Sequence, residues 1–285
     1  MTDPAGLTVG AILERSTRAL VEAGVSAPRA DALAIASHVL GVDRGGVIAR
    51  LPDPVPPALA RRLGDLIDAR ARRQPLQQIL GRVEFHGLTL AVDAAVLIPR
   101  PETEELVDAV LAEPLPERAR VADWGTGSGC IAIALAVARP SWSLIAVDVS
   151  PAALEVAARN ARERGVADRI RLVAADFRVP HATEPLDGIV SNPPYVAEEE
   201  WRALAPEVRD HEPKLALVSG PRGDEAYAAL LPRAFAGLAP GGLLALELGW
   251  TSEAAVRTLA AASGFREIGV RPDLQGIPRI LTARR

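Results

Sequence analysis

The chain is expected to be an α/β protein, with a mainly parallel sheet covered by helices on both faces and preceded by a small all-α region. Three observations predict this. From Arg120 onward, short apolar runs (RVADW, SLIAVD, IRLVAAD, LDGIVSN and GLLALELG) alternate with helical stretches such as CIAIALAVA, PAALEVAARNARERG and DEAYAALLPRAFAGL, as parallel strands joined by crossover helices require. From Leu7 to Arg73 the apolar residues fall at helical spacings, Ile12, Leu13, Leu20 and Val21, then Leu33, Ile35, Val39 and Leu40, then Leu59, Leu63, Leu66 and Ile67. Between Gln78 and Leu97 the pattern changes to short segments around a His-Gly pair, a turn signal that predicts a β-hairpin.

Each element has its punctuation. Gly24 and Gly41 close the first two helical segments, Ser26 with Pro28 can open the second, and LPDPVPP separates the third. The expected organisation is a helical domain over 1–75, a hairpin linker over 76–97 and the α/β domain over 98–285. In such a sheet the ligand crevice lies outside the carboxyl ends of the strands.

Composition narrows the function. At 285 residues and 49% hydrophobic content the chain can bury a large core. One cysteine, Cys130, rules out an internal disulfide, and four histidines without a Cys/His cluster argue against a zinc site, so no metal is expected. The N-terminus lacks a basic region followed by an apolar one, and no apolar run approaches the roughly 20 residues that span a bilayer. The expectation is a cytoplasmic protein. A net charge of −4 argues against a surface that holds nucleic acid mainly by positive charge. Lys214 is the sole lysine among 32 basic residues, a compositional bias rather than a site.

Four motifs follow strands. DWGTGSG, Asp123 to Gly129, offers three glycines at alternate positions and the free N–H groups of a helix start. Its G-x-G-x-G spacing, with Cys130 where a third glycine would stand, departs from the dinucleotide fingerprint, and it lacks the ending of a P-loop. It suits a nucleoside without a pyrophosphate, or it is a turn. Asp148 ends the second strand, where a carboxylate can accept both hydroxyls of a ribose or cap the helix opened by Pro151. Asp176 and Phe177 end the third, placed to receive an amino group and the plane of an adenine, or to serve as a surface acid beside a core ring.

The fourth strand delivers Asn192, Pro193, Pro194 and Tyr195. A neutral amide nitrogen is a poor nucleophile because its lone pair is delocalised, so a site must orient it. The Asn192 side-chain oxygen and the Pro193 carbonyl can accept its two N–H groups, while Tyr195 offers an apolar face to its plane. Glu198, Glu199 and Glu200 read as a solvated helix start, and Cys130 as a packing residue without a histidine partner. In IPRPETE, Pro99 and Pro101 stiffen the chain, Thr103 can cap a helix, and Glu102, Glu104 and Glu105 favour its positive end.

The order of glycine loop, acidic second strand and NPPY resembles class I S-adenosylmethionine-dependent methyltransferases that act on planar nitrogen groups. NPPY serves adenine and glutamine enzymes alike. QPLQQILGRVEF, LIPRPETEELV, HEPKLALVSG, LELGW and DLQGIPRI together resemble the HemK/PrmC family of release-factor glutamine methyltransferases over essentially the whole chain. That resemblance implies a Rossmann-like class I methyltransferase sheet of seven mostly parallel strands behind a helical substrate-recognition domain. It also implies S-adenosyl-L-methionine as cofactor, giving S-adenosyl-L-homocysteine, and N5-methylation of the GGQ glutamine of peptide chain release factors, with no membrane or direct nucleic-acid partner.

By the same resemblance Gly125, Thr126, Gly127, Ser128 and Gly129 line the methionine part of the cofactor, Asp148 holds the ribose, Phe177 sits by the adenine, and Asn192 touches cofactor and substrate. Pro193, Pro194 and Tyr195 hold the glutamine amide, with Asn192, Pro193 and Tyr195 the catalytic set. The alternatives are a ribosomal-protein glutamine methyltransferase and a nucleic-acid adenine N6-methyltransferase. Trp124, Gln78, Arg222 and Asp224 depart from the family's usual pattern at positions of packing and docking.

Overall fold

A computed structural model of the protein describes residues 7–177, 185–273 and 275–285; the leucine of DLQGIPRI, position 274, lies outside the described residues. The chain forms two compact units. One comprises Met1–Gly81 with Pro206–His211, the other Arg82–Ala205 with Glu212–Arg285.

The first unit begins with α1 (Val9–Glu22), α2 (Pro28–Leu40), α3 (Arg44–Ala49), α4 (Pro57–Ala71) and α5 (Leu76–Leu80). Its core joins Ile12, Leu20, Ile35, Val39, Val47, Leu63 and Ile67, all buried, as the helical spacing requires. Thr8 caps α1 by accepting the Ala11 N–H at 3.2 Å, and Gly41 ends α2 at φ +66°. Two local expectations need correcting. Ala27, not Ser26, occupies the N-cap of α2 and no side chain caps it, because alanine carries no acceptor for the N–H groups of the first turn. Residues 76–80, expected within the hairpin linker, form α5 and pack on α2 and α4, since Leu76 and Ile79 share the first unit's core.

The second unit opens with the hairpin of β1 (Arg82–Phe85) and β2 (Leu88–Ala91), turned by His86 and Gly87 at φ 49° and 73°. Two central residues with positive φ match the twist of a tight hairpin. The chain continues through α6 (Pro101–Ala112), β3 (Arg120–Trp124), α7 (Cys130–Ala138), β4 (Ser143–Asp148), α8 (Pro151–Glu163), β5 (Ile170–Ala174) and β6 (Leu186–Ser191). After β7 (Val196–Ala197) and α9 (Glu198–Trp201) comes α10 (Pro206–His211), which belongs to the first unit. Then follow α11 (Lys214–Leu217), β8 (Val218–Gly220), α12 (Glu225–Gly237), β9 (Leu238–Glu247), α13 (Glu253–Ala262), β10 (Arg266–Pro272) and β11 (Pro278–Arg284).

The main sheet has seven strands in the order β10-β11-β9-β6-β3-β4-β5. The five from β9 to β5 run parallel, and β11 is antiparallel to both neighbours. Period-two alternation divides its residues between two cores. Val121, Leu144, Ala146, Leu243 and Ala245 pack beneath α6 and α7, while Ala122, Trp124, Ile145, Val147, Leu244 and Leu246 pack with Tyr227, Leu230 and Leu231 of α12 and with Val256 of α13. Helix α7 is apolar on every side and buried from Cys130 to Ala136, as a helix enclosed on all faces must be. Strand order reverses between β3 and β6, the neighbours from which the chain winds outward in both directions; this is the switch point where the ends of α/β strands leave a crevice. No helix among the described residues is long and apolar enough to cross a membrane.

Candidate active site

The glycine loop leaves β3 at this switch point. Gly125, Gly127 and Gly129 have φ of +75°, +56° and +81°, a region open to glycine at little cost. The N–H groups of Gly125 and Thr126 both donate to the Val147 carbonyl, at 2.8 and 3.0 Å, so the loop is pinned across to β4. The Thr126 hydroxyl turns inward and donates to Asp123 Oδ2 at 2.6 Å, an oxygen that also receives the Ala132 N–H at 3.2 Å. Burial pushes the Asp123 carboxyl up to about 7 against the lowering effect of these bonds.

Beyond the loop lies a cavity of about 260 Å³. Its walls include Gly125 and Gly127, Asp148 with Val149, Asp176 and Phe177, and Asn192 with Pro194. The structure therefore brings together two loop glycines, Asp148, Phe177 and Asn192. Thr126, Ser128 and Gly129 do not line the cavity. The two hydroxyl residues are buried, and a Cβ at Gly129 would stand 3.1 Å from the Ala157 Cβ, so this glycine serves the seating of the loop on α8. Asp176 and Phe177 lie past β5, which ends at Ala174, rather than on it.

Asp148 holds the Gly127 N–H on Oδ2 at 2.8 Å and the Ser150 N–H on Oδ1 at 2.9 Å. Each oxygen keeps a lone pair for a further donor. The helix cap considered for Asp148 belongs to Ser150, whose hydroxyl accepts the Ala153 N–H. A paired acceptor beside backbone without Cβ atoms, with Phe177, Val149 and Leu215 as apolar walls, fits a nucleoside bearing a ribose diol.

The NPPY segment is divided between two cavities. Asn192 and Pro194 face the one just described, Pro193 is buried, and Tyr195 faces a second of about 340 Å³ walled by Gly249, Trp250, Arg222 and Arg279. Burial, then the charge of Glu247, raises the Tyr195 phenol, which stays a neutral donor. Glu198 to Glu200 start α9; Lys214 pairs with Glu198 at 2.5 Å, and Glu199 and Glu200 are exposed. Cys130 is buried and burial pushes its thiol up to about 12, so it packs as an inert side chain.

Sequence reasoning missed several side chains that hold this site. Thr103 caps nothing: Arg100 is the N-cap residue of α6, and the buried Thr103 hydroxyl instead donates to Glu247 Oε2 at 2.6 Å while accepting from Asn192 Nδ2 at 3.1 Å. Glu247 is 1% exposed, and Tyr195 donates to its other oxygen at 3.3 Å. The signal was a lone acid inside the apolar run LLALEL. Glu212 accepts the Ile98 N–H at 3.0 Å and pairs with Arg100 at 2.5 Å, which ties the approach to α6 to the residue before Pro213. Asn160, fully buried on α8, receives the Ala91 N–H and donates to the Ala91 and Ser128 carbonyls, joining hairpin and glycine loop to one helix.

Comparison with known proteins places these features. The PrmC N-terminal domain family matches residues 11–81, and the methyltransferase small domain family matches 104–208. A release factor glutamine methyltransferase of Cereibacter sphaeroides is 46% identical over 93% of this chain and 94% of its own. One of Moorella thermoacetica is 43% identical over 98% and 99%, and one of Mycolicibacterium smegmatis 43% over 96% of each. The crystal structure of a methyltransferase from Pyrococcus furiosus, 20% identical with a TM-score of 0.51 over 70% of this chain and 89% of its own, shares the fold. With its switch-point cavity, its NPPY segment and relatives matched from end to end, the chain belongs to the release factor glutamine methyltransferase family.

Proposed function

We propose that the enzyme transfers the sulfonium methyl group of S-adenosylmethionine to the side-chain amide nitrogen of the glutamine in the GGQ motif of peptide chain release factors, giving N5-methylglutamine. The observation that carries this is Asn192. Its Nδ2 is engaged by Thr103, which leaves Oδ1 to accept an N–H from a substrate amide, at the border of a cavity suited to a nucleoside. The end-to-end likeness to release factor glutamine methyltransferases supports a glutamine rather than an adenine as the planar group.

Bound S-adenosylmethionine supplies the electrophilic methyl group and leaves as S-adenosylhomocysteine. Asp148 would hold its ribose hydroxyls, the backbone of Gly125 and Gly127 would let its methionine part approach, and Phe177 would flank its adenine. Asn192 Oδ1 and the Pro193 carbonyl would accept the two glutamine N–H groups, turning the nitrogen lone pair toward the methyl, and Tyr195 would pack on the amide plane. Orientation and electrostatics perform the work, and the displaced amide proton passes to solvent.

The test is incubation with labelled cofactor, a purified release factor, the same factor with alanine at the GGQ glutamine, and nucleic acid. Label on the unmodified factor alone is expected. Label on nucleic acid, or equal label on the alanine variant, overturns the assignment.

A further inference from the structure

The Glu247 carboxylate has hydroxyl groups on both of its oxygens. Thr103 donates to Oε2 at 2.6 Å and Tyr195 to Oε1 at 3.3 Å. A threonine hydroxyl has one proton and two lone pairs. With its proton on Glu247, Thr103 can only accept from its other neighbour, Asn192, so the end of the asparagine amide that faces it must be the NH2 group, at 3.1 Å. We infer that Thr103 and Glu247 are positioning residues whose one-way hydrogen-bond chain, ending on a buried carboxylate, fixes which end of the Asn192 amide faces the substrate.

The chain has a direction because an ionised carboxylate can only accept. If Glu247 takes up a proton on Oε2 it becomes a donor to Thr103, Thr103 then donates onward, and Asn192 must turn its oxygen toward Thr103 and its NH2 toward the cavity. A second NH2 group facing a glutamine NH2 cannot accept from it. The inference rests on the reading of Asn192 as the acceptor of that amide, and extends it to two residues that touch neither substrate nor cofactor.

The groups around Glu247 set when this reversal occurs. Burial raises its pKa first of all; the bonds from Thr103 and Tyr195 and the charge of Arg279 on β11 lower it, and Glu102 on α6 raises it. Tyr227 of α12 donates to the Glu247 backbone carbonyl at 2.9 Å, and Cys130 of α7 also faces its charge. The net result is a carboxyl raised above its ordinary value, so the reversal comes at a higher pH than for an exposed glutamate.

Two measurements test this, one independent of the substrate. In the ¹⁵N–¹H spectrum of the full chain, the Asn192 side-chain NH2 pair, assigned by its loss in Asn192→Asp, is expected to shift in a single step as pH falls, and to lose that step in Glu247→Gln. A pair indifferent to both overturns the chain of bonds. In the methyl-transfer assay, Thr103→Val is expected to lower kcat by about tenfold to a hundredfold, the scale of a displaced reacting group, with affinity for S-adenosylhomocysteine unchanged within about twofold, and Thr103→Ser to recover kcat to within about threefold, since the hydroxyl returns. Wild-type kcat in Thr103→Val overturns the positioning role, with Glu247→Gln as the second variant where valine fails to fold. Absence of transfer to the release factor by the wild type, alongside a titrating Asn192 pair, would remove the substrate assignment and leave the hydrogen-bond chain standing.

Discussion

Asp148 and Gly127 are joined by a 2.8 Å hydrogen bond from the glycine N–H to the aspartate Oδ2. One carboxylate thus shapes the loop after β3 and retains acceptor capacity for a ligand. Asp148→Ala is expected to weaken S-adenosylhomocysteine binding by tenfold or more, because each hydrogen bond to a charged group contributes roughly 1.5–3 kcal/mol. Asp148→Asn, which keeps one acceptor, should fall between. Calorimetric titration of the three proteins checks the order, and equal affinities would count against ribose binding here.

Asn192 is expected to matter for turnover and little for the fold. Asn192→Ala should lower kcat by about a hundredfold, comparable to loss of one preorganised polar contact in an active site, while the thermal midpoint moves little. Near-normal turnover would refute the alignment of the amide.

Two glycines two residues apart in the same loop should respond differently. A Cβ on Gly129 would meet Ile133 at 3.0 Å and Ala157 at 3.1 Å, at φ +81°, so Gly129→Ala combines backbone strain with overpacking and should cost about 2 kcal/mol or more. A Cβ on Gly127, at φ +56°, meets nothing within 4 Å. Gly127→Ala should cost about 1 kcal/mol and act mainly on cofactor affinity, since Gly127 lines the cavity. Urea midpoints paired with binding titrations separate the two effects.

Asn160→Ala removes three hydrogen bonds at once, one buried and two part-buried, and strands the Ala91 and Ser128 backbone groups. A loss of about 2–4 kcal/mol is expected, from unsatisfied buried groups at roughly 1–3 kcal/mol each. Asn160→Asp, which keeps the acceptor and loses the donors, should be destabilised as well. Chemical denaturation measures both.

Glu207 of α10 lies between Arg73, with bonds of 2.7 Å to each oxygen, and Arg70, which donates at 3.1 Å and also holds Asp31 at 2.7 Å. Burial would raise its carboxyl, but the arginine hydrogen bonds outweigh that and hold it at about 2, below the ordinary 4.5. A depressed carboxyl stabilises the fold above its unfolded pKa, and that contribution is lost as pH falls from about 4.5 through 2. Glu207→Gln should therefore lower the thermal midpoint at pH 7 and converge with the wild type as pH approaches 2. Parallel melting curves that never converge would contradict this linkage.

The sheet was legible where burial on both faces produces uninterrupted apolar runs, as in SLIAVD and LDGIVSN, and the candidate site was legible where unusual residues wall the cavity, as at GTGSG and NPPY. The side chains that hold those segments from behind were not. Asn160 sits in a helix whose polar positions look solvent-facing, Glu247 in a strand that reads as core, and Thr103 two residues past a proline where a cap is the simpler expectation. Each has a partner 69 or more residues away, and local pattern carries no information about such partners. The helix at 76–80 was hidden for the same reason: five residues are too few to show a period, and packing on α2 and α4 decides it.

The membership of Pro206–His211 in the first unit sets a schedule for synthesis. Arg70 and Arg73 leave the ribosome with their acidic partner still 134 or more positions from being made, an interval on the order of ten seconds at ordinary elongation rates. During that time Arg70, 6% exposed in the finished fold, has among the described residues only Asp31 as an acidic partner. The nascent N-terminal helices therefore wait, one helix short, for a segment delivered after four of the main sheet's seven strands have been translated.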